Sequence, residues 1–373
     1  MLVTIAIVSY QARHFLEQTL LSALEALAGA GGDGEIIVVD NNSADGTIEH
    51  VAPRFEGKVT FILNSSNQGF AKANNQAIAA ARGEFTLILN PDTIIGSDTL
   101  REAVEWMRAH PECGAAGVRM IDGDGAFLPE SKRGFPTPWV SFCKIFGLSR
   151  IFPMSPTFAR YHMRYLDERQ PHQVDILVGA FILARTRLLR QLGGFDEDFF
   201  MYGEDIDLSY RMAQAGSQNW YLPITIIHYK GESTHRDSMR YVRVFYQAML
   251  IFFRKHYPGY SAAYSAMIHL AVYARAAAAM IKRAAAWPFR RARRRAGRKL
   301  WRIISTDPAP IAALLGQQAE MCALSPTDVV IDDRCHTYQQ IIDTIDSMAD
   351  GRRRFHVYSG RNQILISPKM TQA

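Results

Sequence analysis

Short apolar runs alternate with longer helical patterns along the first third of the chain. The runs are continuous, rich in β-branched residues and bounded by polar ones, which is typical of strands buried on both faces. They cover residues 4–8, 35–39, 59–63 and 85–89, and helical patterns cover 15–28, 47–54 and 71–82. This alternation predicts a Rossmann-like α/β fold, with a mainly parallel sheet and helices on both of its faces.

The second third of the chain is less regular. Its apolar runs predict two strands, at 174–183 and 220–228, and two helices, at 187–192 and 206–215. Residues 131–170 are rich in proline, arginine and aromatic residues without a clear period, so we expect an irregular loop that folds over a substrate. An aromatic helix over 245–257 is expected to close this unit.

Polar residues follow the end of each early strand. These polar stretches are Ser9-Tyr10, Asp40-Asn41-Asn42-Ser43, the stretch from Asn64 to Gly69, and Asn90-Pro91-Asp92-Thr93. Each alone is ordinary turn and helix-cap chemistry. Four of them on one edge favour a binding crevice, because ligands of such sheets bind beyond the carboxyl ends of the strands. The sequence contains neither a GxGxxG fingerprint nor a P-loop.

An acidic turn at residues 193–208 has the most unusual composition of the chain. It contains six carboxylates and no basic residue: Asp196, Glu197, Asp198, Glu204, Asp205 and Asp207. A helix start explains one or two of them, through the positive end of the helix dipole. The alternative is a site where one carboxylate takes a proton from an incoming hydroxyl beside an aromatic platform for a sugar. The residues alone leave both interpretations open.

Charge adds one feature to this picture. The chain has 373 residues and a net charge of +6, but residues 282–302 contain ten Lys and Arg and no acidic residue. We expect residues 261–302 to form an amphipathic basic helix on an anionic membrane surface. A solvated helix face and a nucleic-acid-binding arm are the alternatives, and nucleic acid is not the expected partner.

The cysteines and the N-terminal stretch indicate a cellular location. Four cysteines without CxxC spacing argue against a zinc site and a disulfide framework, which fits a reducing cytoplasm. The apolar N terminus lacks a basic region and a cleavage site, so it is predicted to be a strand rather than a signal peptide. We therefore expect a cytoplasmic protein, peripherally associated with the inner face of the cell membrane.

The ordered motifs resemble the family 2 inverting glycosyltransferases of the A-type fold, and most closely their rhamnosyltransferase-like branch. The matching pieces are Val8-Ser9-Tyr10, Asp40-Asn41-Asn42-Ser43, Asn67-Gln68-Gly69-Phe70, Leu89-Asn90-Pro91-Asp92, Gly179-Ala180-Phe181, Gly203-Glu204-Asp205-Ile206-Asp207-Leu208 and His228. Each piece is weak alone, whereas the ordered set is specific and spans about two thirds of the chain.

The resemblance implies roles for individual residues. Asp205, next to Glu204, is similar to the general base of the family. Asp92 and His228 are similar to the residues that hold Mg²⁺ or Mn²⁺ on the donor diphosphate. The residues implied in binding the nucleotide-sugar donor are Ser9, Tyr10, Asp40, Asn42, Asn67, Gly69, Lys72, Asn90 and Asp92. Arg119 is a further candidate for contact with the diphosphate. One departure is Asn90-Pro91-Asp92, where many members have Asp-x-Asp.

Three functional hypotheses follow. The first is an inverting glycosyltransferase that moves rhamnose or another deoxyhexose from a dTDP- or UDP-sugar to a lipid-linked or polysaccharide acceptor in bacterial cell-surface glycan synthesis. The second is a nucleotidyltransferase that makes activated sugars, although the glycine-rich basic loop expected after the first strand is absent. The third is a non-catalytic, polybasic membrane adaptor that retains the fold.

The resemblance and the composition together predict three regions. Residues 1–257 are expected to form the glycosyltransferase domain, and residues 258–302 a basic, amphipathic helical segment that attaches to the membrane. Residues 303–373 lie outside the resemblance and are expected to form a small α/β module.

Overall fold

A nine-stranded mixed sheet and a five-stranded sheet organise the chain. The computed structural model describes residues 2–229, 239–260, 299–316, 320–322 and 324–368. The strands of the larger sheet are β1 Val3–Ser9, β2 Gly34–Asp40, β3 Thr60–Leu63, β4 Phe85–Leu89, β5 Thr93–Ile94, β6 Cys113–Ile121, β7 His172–Val174, β8 Phe181–Arg185 and β9 Gln218–His228. Their order is β3-β2-β1-β4-β8-β6-β9-β5, and β7 pairs with β9.

Helices cover both faces of the larger sheet and continue into the C-terminal region. They are α1 Arg13–Gly29, α2 Thr47–Val51, α3 Phe70–Ala80, α4 Thr99–Ala109, α5 Pro138–Ile145, α6 Leu148–Ile151, α7 Thr186–Gln191, α8 Glu204–Gln214, α9 Met239–His256, α10 Ala309–Leu315 and α11 Tyr338–Met348. Of the helices in the described ranges, none has the length and apolarity needed to cross a bilayer.

The predicted α/β fold is confirmed, with two differences in detail. The sheet is parallel across β3, β2, β1 and β4, and β8 then enters antiparallel between β4 and β6. The prediction of a single strand over 174–183 is wrong. A turn at Gly179 separates β7 from β8, because the first part of this stretch pairs with β9 and the second part pairs with β4.

The segment predicted to be an irregular loop contains two short helices. Thr137 begins α5 by accepting a hydrogen bond from the Val140 amide at 3.3 Å, and Pro138 occupies the first helical position. Proline there supplies a helical φ and lacks only an amide hydrogen that would be unpaired anyway. Residues 131–170 are therefore partly helical, because an N-cap and an N1 proline outweigh the missing periodicity.

The second sheet is formed by β10 Leu300–Ile304, β11 Glu320–Met321, β12 Asp328–Asp332, β13 Arg354–Ser359 and β14 Ile364–Ile366. It is parallel except for the pair β13–β14. The prediction of a helical segment over 258–302 is wrong at its end, because residues 300–302 belong to β10: Leu300 pairs with β11, and Trp301 and Arg302 pair with β12. Residues 261–298 lie outside the described residues, so the predicted basic helix there stays a prediction.

The two sheets share one apolar core. Val329 and Ile331 of β12 belong to the same buried cluster as Ile94, Ile227 and Tyr229, which flank the end of β9. A buried ion pair reinforces the contact: Arg119 Nη1 lies 3.0 Å from Asp346 Oδ1, and Arg119 Nη2 lies 2.9 Å from Glu168 Oε1. Arg119 is thus occupied at this interface and is not available to a donor diphosphate.

Adjacent residues of β12 allow the shared core to be tested. Val329 belongs to the shared cluster, whereas Val330 packs on the opposite face of the second sheet, and both are fully buried. Each Val→Ala change should destabilise the protein by roughly 2 kcal/mol. Only V329A should accelerate hydrogen exchange of the Tyr229 amide, which donates to the Asp92 carbonyl at 3.0 Å. Equal acceleration in V330A would contradict the shared core.

Candidate active site

A cavity of about 410 Å³ opens at the edge of the larger sheet where its parallel strands end. The predicted site residues that line it are Tyr10, Asn67, Asn90, Asp92, Glu204, Asp205 and His228. They come from the ends of β1, β4 and β9, the turn before α3 and the first turn of α8. The polar strand ends and the acidic turn therefore meet in one cavity.

The other predicted donor-binding residues do not line this cavity. They are Ser9, Asp40, Asn42, Gly69 and Lys72. Ser9 and Asp40 are paired residues of β1 and β2, and both oxygens of Asp40 accept hydrogen bonds from Ser43, at 2.8 Å from its amide and 2.6 Å from its hydroxyl. Lys72 is half exposed and its ammonium lies 3.9 Å from Glu197. The structure thus gives Asp40 and Lys72 local partners.

Gly69 joins the turn before α3 to the acidic turn. Its φ is +88°, and a Cβ there would lie 2.5 Å from the Phe200 carbonyl oxygen. The next residue, Phe70, donates its amide hydrogen to that same oxygen at 2.9 Å. Only glycine combines this backbone conformation with so close an approach, so Gly69 shapes the cavity without lining it.

Asp92 and His228 form a pair at one wall of the cavity. The two-residue strand β5 follows Asp92 directly and pairs Thr93 with His228, which brings His228 Nε2 to 3.3 Å from Asp92 Oδ1. Two neighbouring ligands of an octahedral ion at about 2.1 Å are separated by about 3 Å. One carboxylate and one imidazole therefore fit Mg²⁺ or Mn²⁺ whose remaining ligands are phosphate and water.

A second cluster with metal-ligand chemistry is a hydrogen-bond network instead. His14, Glu17 and His50 have ligand atoms within 4.8 Å of one another. However, His50 Nδ1 accepts from Arg54 at 2.9 Å and from Arg13 at 3.3 Å, so Nε2 carries the proton and donates to Glu17 at 2.8 Å. A cation there would displace that proton and face two guanidinium groups, which makes the Asp92–His228 pair the better metal candidate.

Most of the acidic turn is neutralised by basic side chains from other elements. Lys255 of α9 lies 2.5 Å from Asp196 and 2.6 Å from Asp198, and the fully buried Asp207 lies 2.7 Å from both Arg211 and His256. These carboxylates hold α8 and α9 together. The first turn of α8 contains Glu204, Asp205 and Asp207, and of these the buried pair Glu204 and Asp205 lines the cavity.

Glu204 and Asp205 have contrasting environments. Asp205 Oδ2 accepts hydrogen bonds from Arg133 Nη2 at 2.5 Å and from the Gly179 amide at 3.2 Å. Glu204 Oε2 is buried without a hydrogen bond. Burial, followed by the neighbouring negative charge of Asp205, raises the pKa of Glu204 to about 8. Glu204 is therefore largely protonated at pH 7, and Arg133 compensates the charge of Asp205.

Arg133 is the main site residue that sequence reasoning missed. It is buried, it lines the cavity, and it also donates to the Leu177 carbonyl at 3.0 Å. The sequence signal that could have indicated Arg133 is the general requirement that buried carboxylates be paired. However, the spacing of the sequence does not connect a residue at 133 with one at 205. The sequence could have indicated only that some basic residue outside the turn was needed.

Comparison with known proteins identifies the family of the chain. Glycosyl transferase family 2 matches residues 4–193 of the chain. An N-acetylglucosaminyl-diphospho-decaprenol L-rhamnosyltransferase from Mycobacterium tuberculosis is 29% identical over 237 residues, covering 60% of this chain and 76% of the relative. The rhamnosyltransferase WbbL from Escherichia coli is 27% identical over 233 residues, covering 60% of this chain and 82% of the relative.

A protein of known structure is also among the similar chains. The mannosyltransferase PcManGT from Pyrobaculum calidifontis, in complex with GDP-Man and Mn²⁺, has a TM-score of 0.46 at 21% identity, covering 77% of this chain and 80% of its own. The family match extends over half of the chain, so the protein belongs to glycosyl transferase family 2 and is a glycosyltransferase.

The raised pKa of Glu204 predicts a change in the pH dependence of stability. Because its folded-state pKa of about 8 lies above the ordinary 4.5, folding favours the protonated form, and this contribution is lost as the pH rises through about 8. The Glu204→Gln variant cannot ionise at this position, so its free energy of unfolding should improve relative to that of the wild type by roughly 4 kcal/mol between about pH 5 and about pH 9.

Urea unfolding at a series of pH values measures this difference. Glu197→Gln is the matched control, because Glu197 belongs to the same turn but is half exposed. Its stability should follow the wild-type pH curve. A Glu204→Gln curve parallel to that of the wild type would show that Glu204 is ionised in the folded protein at neutral pH.

Proposed function

We propose that the protein is an inverting glycosyltransferase that transfers rhamnose or another deoxyhexose from a dTDP- or UDP-sugar to a hydroxyl of a lipid-linked or polysaccharide acceptor. The observation that carries the proposal is a single cavity containing both the Asp92–His228 pair and the Glu204–Asp205 pair. Its relatives support the sugar and the acceptor, since two of them are rhamnosyltransferases and one name specifies a diphospho-decaprenol acceptor. The reaction belongs to bacterial cell-surface glycan synthesis and takes place at the cytoplasmic face of the membrane.

The donor end of the cavity is assigned to Asp92 and His228. These two side chains would hold Mg²⁺ or Mn²⁺ against the donor diphosphate, with Asn90 beside them: its amide nitrogen lies 3.4 Å from His228 Nε2. The ion supplies positive charge to offset the charge that the leaving diphosphate gains. Tyr10 and Asn67, which also line the cavity, are assigned contacts with the nucleotide sugar.

Asp205 is assigned the role of general base. It takes the proton of the acceptor hydroxyl as the oxygen attacks the anomeric carbon from the face opposite the diphosphate, which inverts that centre. Arg133 and the Gly179 amide hold one carboxylate oxygen and so fix the orientation of the group. Glu204 keeps its own proton at neutral pH, so that no second negative charge stands beside the attacking hydroxyl.

Donor class is tested by thermal unfolding of the full chain with dTDP-, UDP- and GDP-sugars, each with and without Mg²⁺ or Mn²⁺. A donor at a hundredfold excess over its dissociation constant stabilises by about 2.7 kcal/mol, which should raise the melting temperature by roughly 2–4 °C. We expect this shift with dTDP- or UDP-sugars and the metal ion. Asp92→Asn should abolish the metal-dependent part, and a shift with GDP-sugars alone would overturn the assigned donor.

The role of Asp205 is tested by Asp205→Asn. General base catalysis contributes roughly 10²- to 10⁴-fold, so the variant should lose that much sugar transfer while it keeps the donor-induced thermal shift. Asp198→Asn is the control, because Asp198 belongs to the same turn but is exposed and paired with Lys255. Undiminished transfer by Asp205→Asn would exclude it as the base. Unchanged cellular function of the Asp205→Asn variant would favour the adaptor hypothesis.

A further inference from the structure

The segment 131–166 has an excess of positive charge, of which the proposed chemistry uses only Arg133. It contains six basic residues and no acidic one: Lys132, Arg133, Lys144, Arg150, Arg160 and Arg164. Arg133 forms an ion pair with Asp205, and Arg160 lies 3.4 Å from Asp175. Arg150 and Arg164 are exposed to solvent. The outer side of this segment is therefore positively charged.

The same segment exposes a continuous apolar surface. Of the eleven large apolar side chains that are exposed in the described residues, six lie within 139–154. These six, which we call the aromatic surface, are Trp139, Phe142, Phe146, Ile151, Phe152 and Met154. The rings of Trp139 and Phe142 stack at 5.7 Å, and those of Phe142 and Phe146 lie 4.6 Å apart. A patch this contiguous is unusual for a surface that faces only water.

The aromatic surface adjoins the cavity. Lys144, which lies between Phe142 and Phe146 on α5, lines the cavity, and its ammonium sits 3.2 Å from the ring centroid of Tyr161. Tyr161 and His162, from the same segment, line the cavity as well. One short stretch of chain thus presents apolar rings to the outside and a cationic group to the site of transfer.

We propose that the aromatic surface seats on the headgroup region of an anionic lipid bilayer, so that the cavity opens where a lipid-linked acceptor presents its sugar. Tryptophan and other aromatic rings favour that region, and basic residues beside them are attracted to anionic lipids. The absence of acidic residues from 131–166 matches a uniformly negative partner. Lys144 then faces the phosphate that links acceptor sugar and lipid. This inference rests on the proposed function, and it is independent of the basic helix expected over 261–302.

Trp139 provides a probe of this contact in the full chain. Protein is mixed with vesicles of phosphatidylcholine containing about one third phosphatidylglycerol, together with lipids that carry a quencher near the headgroup. The fluorescence of Trp139 is obtained by subtracting the emission of the Trp139→Phe variant from that of the wild type. We expect it to be quenched on the anionic vesicles and to be quenched much less on pure phosphatidylcholine. Unquenched Trp139 on vesicles that bind the protein would overturn the proposal.

A matched pair of triple variants measures the energetic contribution. Phe142, Phe146 and Phe152 are changed to Ser in one variant, and the exposed Leu63, Leu314 and Leu324 in the other. The first should weaken vesicle partitioning by roughly tenfold or more, because burial of each ring stabilises the bound state. The second should bind like the wild type. Equal weakening in both variants would overturn the proposal, as would a dimer in sedimentation velocity that only the first variant dissociates.

The two proposals fail in distinguishable ways. Donor-induced thermal shifts, measured without vesicles, should be unchanged in the phenylalanine variant, because its substitutions are at exposed positions. If the wild type binds vesicles through Trp139 but shows no donor shift, the proposed function fails and the membrane contact stands. If the donor shift is present and Trp139 stays unquenched, the membrane contact fails and the proposed function stands.

Discussion

Charge compensation of the acidic turn is the constraint on which the site depends. Asp205 and Asp207 are buried, and a buried carboxylate that loses its partner typically costs about 3–5 kcal/mol. Two of their partners come from distant parts of the chain, Arg133 from the segment before α5 and His256 from α9, and the third, Arg211, lies one turn along α8 from Asp207. The turn can therefore take its position only when these elements are already packed around it.

Much of the fold follows from local sequence, and its exceptions have physical causes. The buried parallel strands were predictable because a strand covered on both faces must be apolar throughout. Residues 174–183 look like one such strand, yet pairing with different neighbours divides them at Gly179. The helices α5 and α6 were not predictable from periodicity, since much of their apolar surface faces outwards instead of into a core.

The candidate site shows the same division between local and long-range information. Asp92 and Asn90 were predictable because carboxyl ends of neighbouring parallel strands converge on one edge. Asp40 ends its strand in the same way, but its oxygens are taken by Ser43 three residues later. The pairing of Arg133 with Asp205 depends on the tertiary path of the chain, which no spacing encodes. Sequence thus predicts which edge carries the site better than which side chains reach it.

The two-residue strand β5 has a consequence for communication within the molecule. It follows Asp92, pairs with the strand that ends in His228, and packs through Ile94 against the five-stranded sheet. The two side chains assigned to the metal ion are thus anchored in a core that the C-terminal region completes. A ligand that stabilises the Asp92–His228 pair also stabilises packing of the C-terminal region against the larger sheet. By reciprocity, a change that weakens this packing lowers the affinity for the ligand. The C-terminal sheet would in this way influence the affinity for the proposed donor, although none of its described residues lines the cavity.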